Sequence, residues 1–272
     1  MAKKILIVDD SALVRRQLTE IIQTLDFEID TAKNGKEAVD KATSFQYDII
    51  TMDINMPIMN GIEAVKQIMN NQPTPILMIS SLTTEDATIT MDALDLGAVD
   101  YIAKPGTMNV GKSENREDIL QKVKTLSIIS PRRLKRNVAR PPIRERKRAT
   151  VTKETIEQKH SSLDITKVVL IGSSTGGPGL IEQICASLPA NYKYPVCIVQ
   201  HMPEQFTKAF AQRLDNASVL PVHESAQNME LIPGNIYVAR GGVHMNFAKK
   251  VSGKIVIREE KVKGKSFFQP SV

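Results

Sequence analysis

The chain has 272 residues, of which 42% are hydrophobic and 24% charged, a globular composition with room for two domains. No run of about 18 apolar residues occurs, and residues 1–10 are too polar for a signal peptide, so we expect a cytoplasmic protein without membrane insertion. The two cysteines, Cys185 and Cys197, lie in apolar stretches, and we expect core residues and not a disulfide.

The net charge of +6 comes from one segment of the chain. Residues 131–160 hold 11 Lys or Arg and three Glu, an excess of +8, so the rest of the chain is near −2. The surrounding stretch, 130–164, has little apolar content, two adjacent prolines and strong like charge, and it cannot bury a core. We therefore predict a basic flexible linker at 130–164, between a first domain at 1–129 and a second at 165–272.

The first domain begins with an apolar run at 4–8, which predicts a strand, and an amphipathic stretch at 11–24, which predicts a helix. Strand-like and helical patterns then alternate. The further strand-like runs are 27–31, 48–52, 75–79 and 99–103, and the further helical patterns are near 35–45, 60–70, 84–96 and 115–128. This alternation predicts an α/β fold with a doubly wound parallel sheet of the flavodoxin-like order.

Chemically active side chains follow the predicted strands of this domain. Asp9 and Asp10 end the first strand and Asp53 the third, and such carboxylates repel one another unless a cation such as Mg²⁺ neutralises them. Ser80 ends the fourth strand and Lys104 the fifth. A cation, a hydroxyl and an ammonium around one carboxylate form a site for phosphoryl transfer to that carboxylate. The alternative is that these are ordinary polar residues at strand ends.

Four segments of the first domain resemble the response-regulator receiver domain of two-component systems: VDD at 8–10, MDINMPIMNG at 52–61, MISS at 78–81 and YIAKP at 101–105. The resemblance implies that Asp53 is the phosphorylation site and that Mg²⁺ is the cofactor of this domain. The implied metal ligands are Asp9 through water, Asp10, Asp53 and the carbonyl of Asn55. The implied switch residues are Ser80, Tyr101 and Lys104.

Alternating patterns resume in the second domain and predict another parallel α/β sheet, of Rossmann-like type. The predicted strands are 167–172, 195–200 and 235–240, and the predicted helices are 178–188 and 204–214. Between the first strand and helix, GSSTG at 172–176 fits the G-x-S-x-G pattern of a nucleophile elbow, with Ser174 as the central serine and Ser173 as its competitor.

A dinucleotide-binding turn is the alternative interpretation of this segment. That motif requires a glycine where Ser174 stands and an acidic residue after the next strand, where this chain has Gln200 and His201. A serine nucleophile requires a base, and four histidines are available. Only His201 ends the strand predicted to neighbour the serine strand, so we expect His201 to be the base.

Three segments of the second domain resemble the catalytic domain of the chemotaxis protein-glutamate methylesterase (CheB) family: IGSSTGGP at 171–178, VQHMPEQFTKAFAQRLD at 199–215 and PGNIYVARGGVHM at 233–245. The resemblance implies that Ser174 attacks glutamyl methyl esters of methyl-accepting chemoreceptors, with His201 as general base and then general acid. It also implies possible deamidation of receptor glutamines, a chemotaxis histidine kinase as phosphodonor, no nucleic-acid partner and no cofactor in the esterase domain.

The resemblance also predicts a defect. The third catalytic residue of the family is an aspartate in a Gly-Met-Gly-x-Asp-Gly segment, and no such segment occurs up to residue 272. Asp215 is the only aspartate after His201 and does not match that position, whereas Arg240 stands where the family usually has proline. From this pattern we expect a chain truncated at its C-terminus, with an incomplete esterase domain and weak activity.

Two other functions are compatible with parts of the sequence. One is a receiver with a DNA-binding output, for which the charge of the segment 131–160 is the only support, since a strand–GSSTG–helix unit follows in place of a helix-turn-helix. The other is a truncated, catalytically weak receiver protein that acts as a phosphate sink or as a receptor-binding module.

Overall fold

The computed structural model describes residues 2–81, 83–105, 112–130, 134, 165, 167–261 and 270. The chain forms two compact units, Met1–Pro142 and Ile143–Val272. The division falls inside the predicted linker, most of which lies outside the described residues, so its flexibility and the exact domain limits stay predictions. Within the described part of the chain, every helix is too short or too polar to cross a bilayer.

The first unit is a five-stranded sheet with strands and helices in strict alternation. Its strands are β1 (Lys3–Val8), β2 (Phe27–Ala32), β3 (Ile49–Asp53), β4 (Ile76–Ser80) and β5 (Asp100–Ala103). Its helices are α1 (Ala12–Ile22), α2 (Gly35–Ser44), α3 (Gly61–Asn71), α4 (Thr84–Asp95) and α5 (Lys112–Leu126). The strands are all parallel in the order β2-β1-β3-β4-β5, which confirms the predicted doubly wound fold.

The central strands of this sheet are buried on both faces, because helices cover each side. Every residue of β3 and β4 is buried, and so are Ile5–Val8 of β1, which explains why these strands are continuous apolar runs in the sequence. Helix α1 begins where the Ser11 hydroxyl accepts a hydrogen bond from Val14 N, and α2 and α3 begin at the asparagine caps Asn34 and Asn60. The helix starts therefore stand next to the carboxyl ends of the strands.

The second unit contains a parallel four-stranded sheet and a separate antiparallel hairpin. In chain order its elements are β6 (Val169–Ser173), α6 (Gly177–Ser187), β7 (Val196–Gln200), α7 (Glu204–Ala217), β8 (Val222–Glu224), β9 (Ile236–Val238), β10 (His244–Lys249) and β11 (Ile255–Glu260). The parallel sheet has the order β6-β7-β9-β8, so β6 lies at an edge, and β10 pairs with β11 alone. The predicted parallel α/β fold of the second unit is confirmed.

The sequence prediction of three strands in this unit was incomplete, because it missed β8, β10 and β11. Strand β8 has only three residues, and the hairpin strands carry a lysine, an arginine and two glutamates that hide the apolar alternation. The hairpin nevertheless belongs to the core, because Ile257 of β11 packs with Cys197 of β7 and Tyr237 of β9. Both Cys185 and Cys197 are buried free thiols, as predicted, and burial raises the pKa of each to about 12.

The close approach of helix α3 to the end of β3 predicts the effect of one substitution. A methyl group on Gly61 would lie 1.9 Å from the Asp53 carbonyl oxygen, whereas a methyl group on Gly179 of α6 meets nothing within 4 Å. We expect Gly61→Ala to lower the free energy of unfolding of its unit by roughly 3 kcal/mol or more, since backbone must move to relieve the overlap. Gly179→Ala is the control and should be neutral or stabilising by up to about 1 kcal/mol. Urea denaturation of the two variants measures the difference, and equal stability of both would contradict this packing.

Candidate functional site

Three carboxylates meet at the carboxyl edge of the first sheet. Asp9 and Asp10 follow β1, Asp53 ends β3, and the two strands are parallel neighbours. One oxygen from each of the three carboxylates lies within 4.8 Å of the others. Asp9 and Asp53 are buried and Asp10 is exposed. The structure therefore brings together the acidic residues that the sequence placed at separate strand ends.

Among the described residues, one ammonium group faces the two buried carboxylates. Lys104 follows β5, and its Nζ lies 2.8 Å from Asp53 Oδ2 and 3.4 Å from Asp9 Oδ2. The other oxygen of Asp53 accepts a hydrogen bond from Ile54 N at 2.8 Å. The Arg15 guanidinium also donates to the Asp9 and Asp10 carbonyl oxygens, but these two cations against three carboxylates still leave a net negative charge. Hard carboxylate oxygens this close together suit Mg²⁺. The donor set thus fits a divalent cation.

The electrostatics of the cluster follow from its burial. Burial raises the pKa of Asp53 to about 6, with the hydrogen bond from Lys104 acting in the opposite direction. Burial also raises the pKa of Asp9 above its ordinary value. For Lys104, burial acts to lower the pKa, but the hydrogen bond and charge of Asp53 outweigh it and raise the pKa. Asp53 is therefore a carboxylate whose negative charge is costly to keep in the absence of a cation.

Two of the predicted switch residues, Ser80 and Tyr101, are buried side chains of neighbouring strands. Ser80 is fully buried at the end of β4, and its Oγ lies 3.1 Å from Thr90 Oγ1 of α4 and 3.0 Å from the Ser81 carbonyl oxygen. Tyr101 of β5 is also buried, and Lys122 Nζ lies 5.3 Å from the centre of its ring. The hydroxyl of Ser80 is thus engaged with α4 in this structure.

Helix α4 contributes two residues that the sequence analysis did not single out. Besides contacting Ser80, Thr90 donates to the Asp86 carbonyl oxygen at 2.6 Å, and Asp86 Oδ1 accepts a hydrogen bond from Asn55 Nδ2 at 3.1 Å. Asn55 is the residue whose carbonyl is predicted to bind the metal. The four-residue spacing of Asp86 and Thr90 indicates that both lie on one face of a helix. The sequence does not show which strand end that face contacts, so the contact with Ser80 could not be predicted.

In the second unit, the turn between β6 and α6 exposes one serine and buries part of the other. Ser174 is exposed, whereas Ser173 is partly buried and its Oγ would lie 1.8 Å from a methyl group on Gly177. Gly176 has φ +72°, the left-handed region that glycine adopts without strain, and Gly177 N donates to the Ser174 carbonyl oxygen at 2.9 Å. The geometry is that of a tight strand–turn–helix elbow with Ser174 at its outer side.

His201 lies next to this elbow. It follows β7, which is the parallel neighbour of β6, and its backbone N–H donates to the Ser173 carbonyl oxygen at 3.0 Å. Because Ser173 pairs with Gln200 in the sheet register, Ser174 and His201 occupy the next position on each chain. The structure brings together the serine and histidine that the sequence paired, and their catalytic roles stay predictions.

Two acidic side chains of the second unit, Asp215 and Glu224, form hydrogen bonds away from His201. Asp215 Oδ1 accepts a hydrogen bond from Val222 N at 2.9 Å, at the amino end of β8 and so at the opposite edge of the sheet from His201. Glu224 lies at the carboxyl end of β8, where its Oε1 is 2.5 Å from Thr207 Oγ1. In the order β6-β7-β9-β8, Glu224 is two strands away from the strand that His201 follows.

Arg240, the predicted departure from the family pattern, is held by the hairpin. Its Nη2 lies 2.8 Å from Glu259 Oε2 of β11, and its backbone N–H donates to Ser225 Oγ at 3.0 Å. The following Gly241 lies so close to α7 that a methyl group there would be 2.4 Å from Glu204 N. The loop after β9 is therefore packed firmly against the start of α7 with arginine in this position.

Comparison with known proteins identifies both units. Residues 5–116 match the response regulator receiver domain and residues 169–272 match the CheB methylesterase domain. The protein-glutamate methylesterase/protein-glutamine glutaminase 2 of Carboxydothermus hydrogenoformans is 44% identical over 276 residues, which cover 99% of this chain and 75% of that protein. The chain belongs to the CheB methylesterase family. The resemblance inferred from the sequence is thereby confirmed for both domains.

Other members of the family match in the same way. The protein-glutamate methylesterase/protein-glutamine glutaminase of Caldanaerobacter subterraneus is 41% identical over 278 residues, which cover 100% of this chain and 75% of that protein. The crystal structure of the response regulator domain of Thermotoga maritima CheB is 44% identical, with 48% of this chain and all of that domain covered and a TM-score of 0.44. The two relatives are thus matched along nearly all of this chain and along about three quarters of their own length, and the expected shortening of the chain stays a prediction.

The raised pKa of Asp53 predicts a pH-dependent stabilisation by Asp53→Asn in the absence of metal. The folded state holds the proton more tightly, with a pKa of about 6 against an ordinary value near 4. Wild-type stability therefore falls as the pH rises through this window, and the amide avoids that loss. We expect Asp53→Asn to be more stable than wild type by about 1–3 kcal/mol at pH 7, with a smaller gap near pH 4.

Urea denaturation in a chelator at the two pH values measures this gap. Asp26→Asn is the matched control, because Asp26 is exposed just before β2, and its effect should stay within about 0.5 kcal/mol. A gap that is the same at both pH values would contradict the stated cause.

Proposed function

We propose that this protein is a phosphorylation-regulated chemotaxis methylesterase, which removes methyl esters from glutamates of methyl-accepting chemoreceptors and deamidates receptor glutamines. The observation that carries the proposal is the exposed Ser174 on the β6–α6 elbow, one register position from His201 on the neighbouring strand. Its support from the comparisons is membership in the CheB methylesterase family. The reaction class is carboxylic ester hydrolysis.

The proposed reaction proceeds through an acyl-enzyme. His201 accepts the proton of the Ser174 hydroxyl as the oxygen attacks the ester carbonyl, and then donates it to the departing methanol. Water attacks the acyl-enzyme with His201 again as base, which releases the glutamate and restores Ser174. The N-terminus of α6 follows directly after the elbow, and its helix dipole would stabilise the negative charge that develops on the ester carbonyl oxygen.

In the receiver domain, the proposed phosphorylation site is Asp53, and the proposed phosphodonor is a chemotaxis histidine kinase. Asp9, Asp10, Asp53 and the Asn55 carbonyl would hold Mg²⁺, which supplies neutralisation of charge on the phosphoryl oxygens. Lys104 lies 2.8 Å from the acceptor carboxylate and is placed to bind the transferred group. Phosphorylation replaces a carboxylate in contact with Lys104 by a doubly charged group, and we propose that Ser80 and Tyr101 respond to that change.

The first prediction from this proposal concerns the phosphoryl acceptor. Incubation with radiolabelled acetyl phosphate and Mg²⁺ should label the chain at Asp53, and a chelator should abolish the labelling, because the buried carboxylate requires charge neutralisation. Asp53→Asn should not be labelled. Asp48→Asn is the matched control, since Asp48 lies at the other end of β3 and its carboxylate accepts from Lys4 N at 2.7 Å. Full labelling of Asp53→Asn would refute the assignment.

The second prediction separates the two serines of the elbow. Ser174→Ala should reduce methanol release from methylated receptor by about three orders of magnitude or more, because the nucleophile is removed. Ser173→Ala should keep the rate within about a factor of five, because Ser173 lies on the inner side of the turn. The reverse order of effects would assign the reaction to Ser173. Labelling of Asp53 without any methanol release would favour a phosphate sink or receptor-binding module.

A further inference from the structure

The side chain of Gln200 contacts the backbone of both proposed catalytic residues, and the proposed reaction gives it no role. It is the last residue of β7, only 2% exposed, and it pairs with Ser173 in the sheet register. Its Nε2 donates to the Ser174 carbonyl oxygen at 3.1 Å and lies 3.3 Å from the His201 carbonyl oxygen. A single buried amide therefore contacts the backbone of both the serine and the histidine.

The orientation of this amide follows from its neighbours. Carbonyl oxygens only accept hydrogen bonds, so the atom that faces two of them must be the nitrogen. The Gln200 Oε1 then faces the start of α6, where a methyl group on Gly177 would lie 2.5 Å away. This oxygen is buried and has no hydrogen-bond partner among the described residues. Burying an unsatisfied oxygen is unfavourable, and an apolar side chain would fill the space without it.

The hydrogen bonds that accompany this unsatisfied oxygen restrain the elbow. The Ser174 carbonyl oxygen receives one donor from Gly177 N at 2.9 Å and a second from Gln200 Nε2, which occupies both of its lone pairs. The peptide group after Ser174 is thus held from the helix and from the neighbouring strand. The contact to the His201 carbonyl oxygen ties the same amide to the backbone that carries the proposed base.

We propose that Gln200 is a positioning residue for the esterase reaction, which sets the separation and orientation of Ser174 and His201 through their backbones. This inference rests on the proposed roles of those two residues. Gln200 does not contact the substrate in this proposal and takes no part in proton transfer. Small displacements of reacting groups slow such reactions by about 100-fold per ångström, so loss of the amide lowers the rate of the chemical step.

The test compares two buried carboxamides of the same sheet. Gln200→Met keeps the length of the side chain and removes the donor. The control is Asn235→Leu, because Asn235 is 1% exposed but lies just before β9, at the opposite edge of the sheet. Four quantities are measured in the full chain: the rate of covalent labelling of Ser174 by a fluorophosphonate, the kcat for methanol release, the KM for methanol release, and the melting temperature.

Both variants should lower the melting temperature, but only Gln200→Met should slow labelling of Ser174 and lower kcat, by about 10- to 100-fold, with KM within about twofold. Gln200→Asn keeps a buried amide but shortens the side chain by one methylene. It should also slow labelling of Ser174 and lower kcat with KM nearly unchanged, and it replaces Gln200→Met in the test if Gln200→Met does not fold.

The possible failures are distinct. Wild-type labelling of Ser174 together with wild-type rates in folded Gln200→Met or Gln200→Asn overturns the inference alone, and so does an equal loss of rate in Asn235→Leu. Absence of any labelling of Ser174 in the wild-type chain overturns the proposed function and this inference with it.

Discussion

Parallel strand pairing brings successive carboxyl ends to one edge of a sheet, and both candidate sites of this protein are assembled at such edges. Asp9 and Asp53 meet because β1 and β3 are neighbours, and Lys104 reaches them from the end of β5. Ser174 and His201 adjoin because β6 and β7 are paired. At these edges the strand ladder ends and helices begin, so side chains there can act on a ligand while the apolar strands behind them hold their positions.

The two sites use this shared geometry for different physical purposes. The first concentrates charge: two buried carboxylates share one ammonium, and burial raises the pKa of Asp53 to about 6. Such a site responds strongly to an added cation or phosphoryl group, because either one changes the balance of charge in a poorly solvated place. The second relies on hydrogen bonds between neutral groups, with the Ser174 carbonyl oxygen held by two donors. In the proposed reaction, the second site therefore depends on the orientation of Ser174 and His201 and not on a concentration of charge.

Buried polar residues mark the places where each fold departs from an apolar interior. Ser80 and Thr90 form a buried hydroxyl pair between β4 and α4, and Gln200 is buried beneath the serine elbow. These three residues lie within or beside the candidate sites, and burying each of them carries an unfavourable desolvation free energy, which the surrounding apolar strands offset. The hairpin of β10 and β11 adds to that support in the second unit, because Ile257 packs against the face of the parallel sheet.

The sequence alone determined the fold class of both units and the residues at the strand ends, because apolar periodicity and short motifs are local signals. It placed Asp53, Lys104, Ser174 and His201 at the carboxyl ends of strands and paired them correctly by topology. Only the tertiary structure decided that Thr90 contacts Ser80 and that Gln200 spans the elbow. These contacts join residues 10 and 26 positions apart through side chains whose direction depends on packing between a helix and a strand or between two strands. The short β8 and the charged hairpin were missed for a different reason, because three residues, or strands rich in charged side chains, show no clear apolar period.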